Sequence, residues 1–240
     1  MYLHVSELRA FYAPPLGHAV RRFVGHRIRA RWRHMDGLTC IGLGFPSPYL
    51  SAFRGEATRI GALMPAAQGA LVWPNEGTTQ CVLVEETHLP LPDNSVDRLL
   101  VVHCLEGADT TRQLLREIWR VLAPEGRLML IVPNRRSVWA RADKTPFGHG
   151  RPYSRGQLQR LLENAMFAPF DWAWALHFPP VEHHIVLRSV IAFERFGAQV
   201  WPALGGIIIV EARKELFAPT PKGLQVPVRA LGGLVTVRGV

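Results

Sequence analysis

Short apolar runs alternate with amphipathic stretches along most of the chain. Leu38 to Gly42 and Arg59 to Met64 are two such runs, the second closed by Pro65, and both predict strands. Cys81 to Val84 and Arg98 to Val102 predict two more, separated by the turn-prone sequence Leu89-Pro90-Leu91-Pro92-Asp93-Asn94-Ser95. Between Asp109 and Val121 the period changes to 3.6, with Leu114, Leu115, Ile118 and Val121 on one stripe. That helix is expected to stop at Ala123-Pro124-Glu125-Gly126, and Gly126 opens a strand, Arg127 to Pro133, that is apolar after its first residue.

The second half alternates less cleanly. Ser154 is placed to cap a helix carrying Leu158, Leu161 and Leu162 and ending near Asn164. Phe170 to Phe178 reads as a strand, Glu182 to Ala198 as one helix, and Gly206 to Val210 as a last buried strand. Strands apolar on both faces and alternating with helices predict a doubly wound α/β domain, with ligands beyond the carboxyl ends of the strands. The expected organisation is a basic helical extension over residues 1–37 and an α/β domain over 38–213. A helical lid or insertion is expected near 182–198, and a tail rich in proline and glycine over 214–240.

At 240 residues and 48% hydrophobic content the chain can bury one sizeable core. No apolar run approaches the roughly 18 residues that a membrane span needs, and the first residues lack the organisation of a secretory signal. A cytoplasmic protein is the expectation. Cys40, Cys81 and Cys104 are three in number and set among aliphatic residues, which suits buried thiols better than disulfides or zinc. Twenty-eight basic residues against 19 acidic ones give a formal charge of +9. The run from Arg21 to His34 holds no acid; it could face nucleic acid or anionic lipid, or be a solvated helix face whose Phe23, Val24, Ile28 and Trp32 pack inward. The apolar positions fall near helical spacing, which favours packing, and few aromatic residues interleave with the arginines, which argues against nucleic acid.

The segment from Leu89 to Asn134 carries a family resemblance. The turn Leu89-Pro90-Leu91-Pro92-Asp93-Asn94-Ser95-Val96-Asp97 comes first, then His103-Cys104-Leu105-Glu106-Gly107, then Arg120-Val121-Leu122-Ala123-Pro124-Glu125-Gly126-Arg127-Leu128. In order and spacing these resemble the class I S-adenosylmethionine-dependent methyltransferases of the type 11, small-molecule group. The resemblance covers roughly Leu38 to Asn164. It implies a Rossmann-like, mostly parallel seven-stranded sheet with a reversed last strand. The methyl donor, S-adenosylmethionine, would lie over the ends of strands 1 to 4 and the acceptor above the later strands.

Carried over residue by residue, the donor set is Cys40, Gly42, Gly44, Met64, Glu85, Glu86 and His103. The departures are plain. Cys40 and Met64 stand where the family has carboxylates, and Pro46 replaces a third glycine, fixing φ and removing a backbone donor. Glu85 falls where the family's adenine-binding acid stands. His103 and Glu106, at the end of the fourth strand, are the candidate bases for an acceptor that must lose a proton. Arg135, Arg136, His149, Arg151 and Tyr153, in the loop after the fifth strand, could fix an anionic or aromatic small-molecule acceptor.

His177, Glu182, His183 and His184 suggest metal, but adjacent histidines on a helix diverge and no HExxH or CxxC accompanies them, so no metal is expected. The 182–201 segment, with Phe193, Phe196 and Trp201, is expected to be a lid or a contact surface for a partner chain or second copy. Three functions remain open: a methyltransferase for a small molecule, a binding or scaffold protein of the same fold without the donor site, and a nucleic-acid-directed enzyme.

Overall fold

The computed structural model describes residues 2–216, and the expected tail lies outside them from residue 217 onward. Seven strands form one sheet in the order β3-β2-β1-β4-β5-β7-β6. They are β1 Thr39–Gly44, β2 Arg59–Pro65, β3 Cys81–Val84, β4 Val96–Val102, β5 Leu122–Pro133, β6 Phe167–Ala175 and β7 Ile207–Lys214. The strands from β3 to β5 pair in parallel, and β7 runs antiparallel to both of its neighbours, so it alone is reversed. The α/β class and the mostly parallel seven-stranded sheet with its reversed last strand are therefore as expected.

Side chains alternate across the strands and so build two cores. On one face Cys40, Leu100, Met129 and Ile209 meet helices α1 (Val5–Tyr12) and α2 (Pro15–Arg31). On the other, Ile41, Leu43, Leu99 and Leu130 meet α4 (Thr111–Val121) and α5 (Arg155–Asn164). Helix α2 begins with Pro15 in its first turn, where a missing N–H costs nothing, and buries Leu16, Val20, Val24 and Ile28 at intervals of four. It covers a face where β1 and β2 are joined only by the four-residue α3 (Ser47–Leu50) and a 3-10 turn. The basic run is partly spent inside the fold: Arg29 grips Glu56 with two nitrogens at 2.8 and 2.7 Å, and Arg31 meets Asp171 at 2.8 Å.

The turn before β4 is held by one side chain. Arg120 donates to the carbonyls of Leu89 and Leu91 at 2.8 and 2.9 Å and pairs with Asp93 and Glu117. Asp97 accepts the Thr39 N–H at 2.8 Å, tying β4 to β1. Arg120 and the Leu89 to Asp97 turn belong to two of the three motifs that carry the resemblance, and they form one clamp.

Several boundaries differ from the sequence reading. Pro65 lies inside β2 at its last position, where an absent N–H is tolerated. The sixth strand is shifted three residues toward the N-terminus, because Leu176 takes a positive φ of 66° and ends it. The single helix expected over Glu182 to Ala198 is two, α6 (His184–Arg188) and α7 (Val190–Val200), interrupted at Ser189. His183 precedes the helix rather than lying on it, so its ring stacks on that of His184 at 4.7 Å instead of diverging.

Candidate functional site

The carboxyl ends of β1, β2 and β4 meet beneath α1. At the end of β1, Gly44 has φ +93°, and a Cβ there would lie 2.1 Å from the Val102 carbonyl oxygen and 2.7 Å from Cys104. A Cβ on Gly42 would lie 2.4 Å from the Pro46 ring. Both glycines are thus needed for close approach, but what approaches is this chain's own Pro46, Val102 and Cys104. Cys40 is buried within β1, well before its end, and burial pushes its thiol up to about 12. Met64 is buried at the end of β2, where its sulfur accepts the Leu71 N–H at 3.4 Å.

Tyr12 from α1 fills the space in front of this turn. Its ring stacks on Phe45 at 5.8 Å, and its hydroxyl lies 3.0 Å from that of Tyr49 and 2.9 Å from His103 Nε2. Burial and the neighbouring Tyr49 hold the Tyr12 phenol well above its ordinary range, so it stays protonated and has one hydrogen to give, to Tyr49 or to His103. With Tyr12 donating to Nε2, a neutral His103 carries its proton on Nδ1, which faces Glu106 Oε1 at 3.4 Å. His103 is also strained: its φ is +50°, rare for a residue with a side chain, and its carbonyl accepts from Gln68 Nε2 at 2.7 Å.

Both carboxylate oxygens of Glu106 and the Gln68 Oε1 are buried without a hydrogen-bond partner. They line a cavity of about 10 Å³ shared with Tyr2, Leu8 and His149. His103, Glu106 and His149 therefore come together. Glu85 is exposed at the end of β3, whereas Glu86 is half-buried, its carboxyl raised by burial against the opposing effect of a hydrogen bond from Tyr2. Among the loop residues, His149 Nε2 bonds the Asp143 carbonyl at 2.7 Å and Tyr153 donates to the Leu105 carbonyl at 3.3 Å. Arg151 is exposed, and its backbone N–H donates to the Glu106 carbonyl at 2.8 Å. Arg135 and Arg136 stand apart, lining an open cavity of about 630 Å³ with Arg141 and Trp201.

A larger cavity, about 890 Å³, opens between the loops after β1 and β2 and the underside of α1. Arg9, Arg21 and Arg54 line it together with Phe45, Trp73 and Glu76. Of these six only Arg21 figured in the sequence reading, as the first residue of the basic run, and Tyr12, Tyr49 and Gln68 did not figure in it. They come from four separate stretches that only the packing of α1 and α2 on the sheet brings together. Among the described residues no group of three or more His, Cys, Asp or Glu converges to hold a metal ion, and no helix is long and apolar enough to cross a membrane.

Residues 41–130 match a family model described as a methyltransferase domain. A protein of Mycolicibacterium smegmatis named "Probable S-adenosylmethionine-dependent methyltransferase" is 35% identical over 91 residues, covering 37% of this chain and 35% of its own length. The uncharacterized YafS of Escherichia coli is 27% identical over 150 residues, covering 60% of this chain and 59% of its own. The chain thus spans between about a third and three fifths of the length of these two relatives. A solved S-adenosylmethionine-dependent methyltransferase of Thermotoga maritima shares the fold with a TM-score of 0.59 at 17% identity, covering 88% of this chain and 96% of that one. Residues 41–130 are thus similar in sequence to methyltransferase domains of the type 11 group, and the chain shares the fold of solved S-adenosylmethionine-dependent methyltransferases.

Proposed function

We propose that the chain is an S-adenosylmethionine-dependent methyltransferase acting on a small acceptor. The observation that carries this reading is the cavity of about 890 Å³ at the carboxyl ends of β1 and β2, which lies within the size range of ligand sites. Its residues fit the parts of the donor. Arg9, Arg21 and Arg54 supply cations for a carboxylate, Phe45 and Trp73 flat apolar surfaces for adenine, and Glu76 an acceptor for ribose hydroxyls. The glycine turn itself does not fit, because Pro46 and Cys104 occupy the space its glycines leave.

When bound, the donor supplies an electrophilic methyl on a sulfonium centre. The chain then has only to position the acceptor, exclude water and remove a proton. His103 is the group for that proton: Glu106 faces Nδ1, and Tyr12 covers Nε2. An acceptor reaches Nε2 only when Tyr12 moves aside, so α1 is part of the reaction cycle in this reading. Arg135 and Arg136, on the loop after β5, supply the cationic side of the acceptor mouth, which favours an anionic acceptor.

A second reading, a binding or scaffold protein of this fold that has lost the donor site, is favoured by one specific observation: Tyr12, Pro46 and Cys104 fill the turn that the family leaves open. Titration calorimetry with S-adenosylmethionine and with its demethylated product separates the two. Saturable binding of both, with a raised melting temperature, is the expected result. No heat and no stabilisation would leave the scaffold reading standing.

A further inference from the structure

The segment 181–204 holds eight of the fourteen exposed large hydrophobic residues among the described residues. Helix α7 cannot turn to bury them, because its inward face is already in use. Val190, Glu194 and Gly197 face the body, and a Cβ on Gly197 would lie 2.4 Å from His177 Cβ. Glu194 accepts the backbone N–H groups of Leu176 and His177 at 3.3 and 2.7 Å, fixing the helix rotation. On the outer side Phe193, Phe196 and Val200 fall at i, i+3 and i+7 and form one stripe. Trp201 extends it, edge-on to Phe196 at 6.1 Å. Phe196 and Trp201 are each 58% exposed.

Cations border this stripe. Arg135, Arg136 and Arg141 line a cavity with Val200, Trp201 and Leu204, and among the described residues none of the three pairs with a carboxylate. The segment's own acids are Glu182 and the buried Glu194, against Arg188 and Arg195. We propose that this face docks on an anionic lipid surface, with the α7 stripe and Trp201 entering the headgroup boundary and the three arginines meeting phosphates. A second copy fits less well, because a self-complementary contact would need acids on the same face to meet the arginine rim, and the segment exposes only Glu182. The bilayer would be met at the surface only, since no described helix can span it. The proposal shares Arg135 and Arg136 with the acceptor reading but does not depend on donor binding.

The test is co-sedimentation of the full chain with phosphatidylcholine vesicles, with and without phosphatidylserine. Binding to the anionic vesicles that weakens with salt is expected. Phe196→Glu and Trp201→Glu should each reduce it about tenfold, and Arg135→Ala with Arg136→Ala should reduce it about as much and flatten the salt dependence. Circular dichroism melts check that the variants stay folded, and calorimetry with S-adenosylmethionine on the Phe196→Glu protein reads the donor site independently. Absence of binding to anionic vesicles, or binding that these substitutions leave unchanged, overturns the proposal. So does a concentration-dependent dimer that Phe196→Glu dissolves, which assigns the face to a second copy.

Discussion

Arg120 and Tyr12 lock turns at opposite ends of the parallel strands, and they do so by opposite means. Arg120 holds the turn before β4 with a guanidinium that satisfies two carbonyls and two carboxylates at the surface. Tyr12 holds the turn after β1 with a buried ring and a hydroxyl that reaches Tyr49 and His103. The Arg120 region is built from residues of two of the resemblance motifs, on elements that follow one another in the chain. The Tyr12 region is built by a helix from the start of the chain lying over a turn whose glycines are crowded by Pro46 and Cys104. The difference teaches that the motifs most visible in this sequence hold the frame, while the residues beside the candidate site come from elsewhere.

The strongest way to break that comparison is Arg120→Ala. Charge-assisted hydrogen bonds contribute about 1.5–3 kcal/mol each, and partial solvent exposure of this arginine discounts the sum. A loss of about 3 kcal/mol in a denaturant titration is expected, with donor affinity changed only as far as stability is. A loss below about 1 kcal/mol would show that the clamp follows the fold rather than supporting it. On the other side, Tyr12→Phe keeps the ring and removes the hydroxyl. His103 Nε2 and the Tyr49 hydroxyl then lose a buried partner, which costs about 2 kcal/mol. Tyr49→Phe, which leaves the contact to His103 in place, should cost less; equal losses would remove His103 from the network.

How much of this was legible in the sequence divides along the same line. Leu114, Leu115, Ile118 and Val121 were readable as one stripe, and all four are buried. Ser154 was readable as a cap, and it forms a full capping box with Gln157. Such signals are local, within one or two turns of chain. Tyr12 beneath His103 is a contact across 91 positions, and Gln68 meets His103 across 35, so neither leaves a periodic trace. Arg29 and Arg31 were read as one basic run, yet their partners Glu56 and Asp171 lie 27 and 140 residues away. The sequence shows the charge of a run and not its partners. The break at Ser189 was missed because the apolar positions of α6 and α7 continue across it.

Alkaline pH probes the buried edge without any substitution. Burial raises the Cys40 thiol from 9.0 to about 12, so between these values the folded chain holds a proton that the unfolded chain releases. Stability from this group is complete below pH 9, and falls as pH rises toward 12. By pH 10 the loss is about 1 kcal/mol, and Cys104, Tyr12 and Tyr49, raised by the same burial, act in the same direction. Cys40→Ala should flatten the decline of the melting temperature above pH 9. An unchanged slope would mean that the β1 edge admits water to its thiol.

The smallest expected effect bears most directly on what the β1 and β2 edge is for. Arg21 is exposed on α2, lines the large cavity, and is close enough to Tyr49 to lower that phenol's pKa against the stronger effect of burial. If the cavity holds the donor, Arg21 meets its carboxylate across partly solvated space, where one ion pair contributes up to about 1 kcal/mol. Arg21→Ala should then weaken S-adenosylmethionine binding about three- to fivefold in calorimetry, leave the melting temperature without ligand unchanged, and lose its effect at high salt. Arg59→Ala, at the far end of β2, is the control, since it removes an exposed charge of the same sign without touching this cavity. Equal weakening by both would reduce Arg21 to a share of the general positive field. Weakening by Arg21 alone would place a ligand's anionic group against α2, and would give the filled glycine turn a physical sense: recognition at this edge has passed from the turn's backbone to the N-terminal helices that cover it.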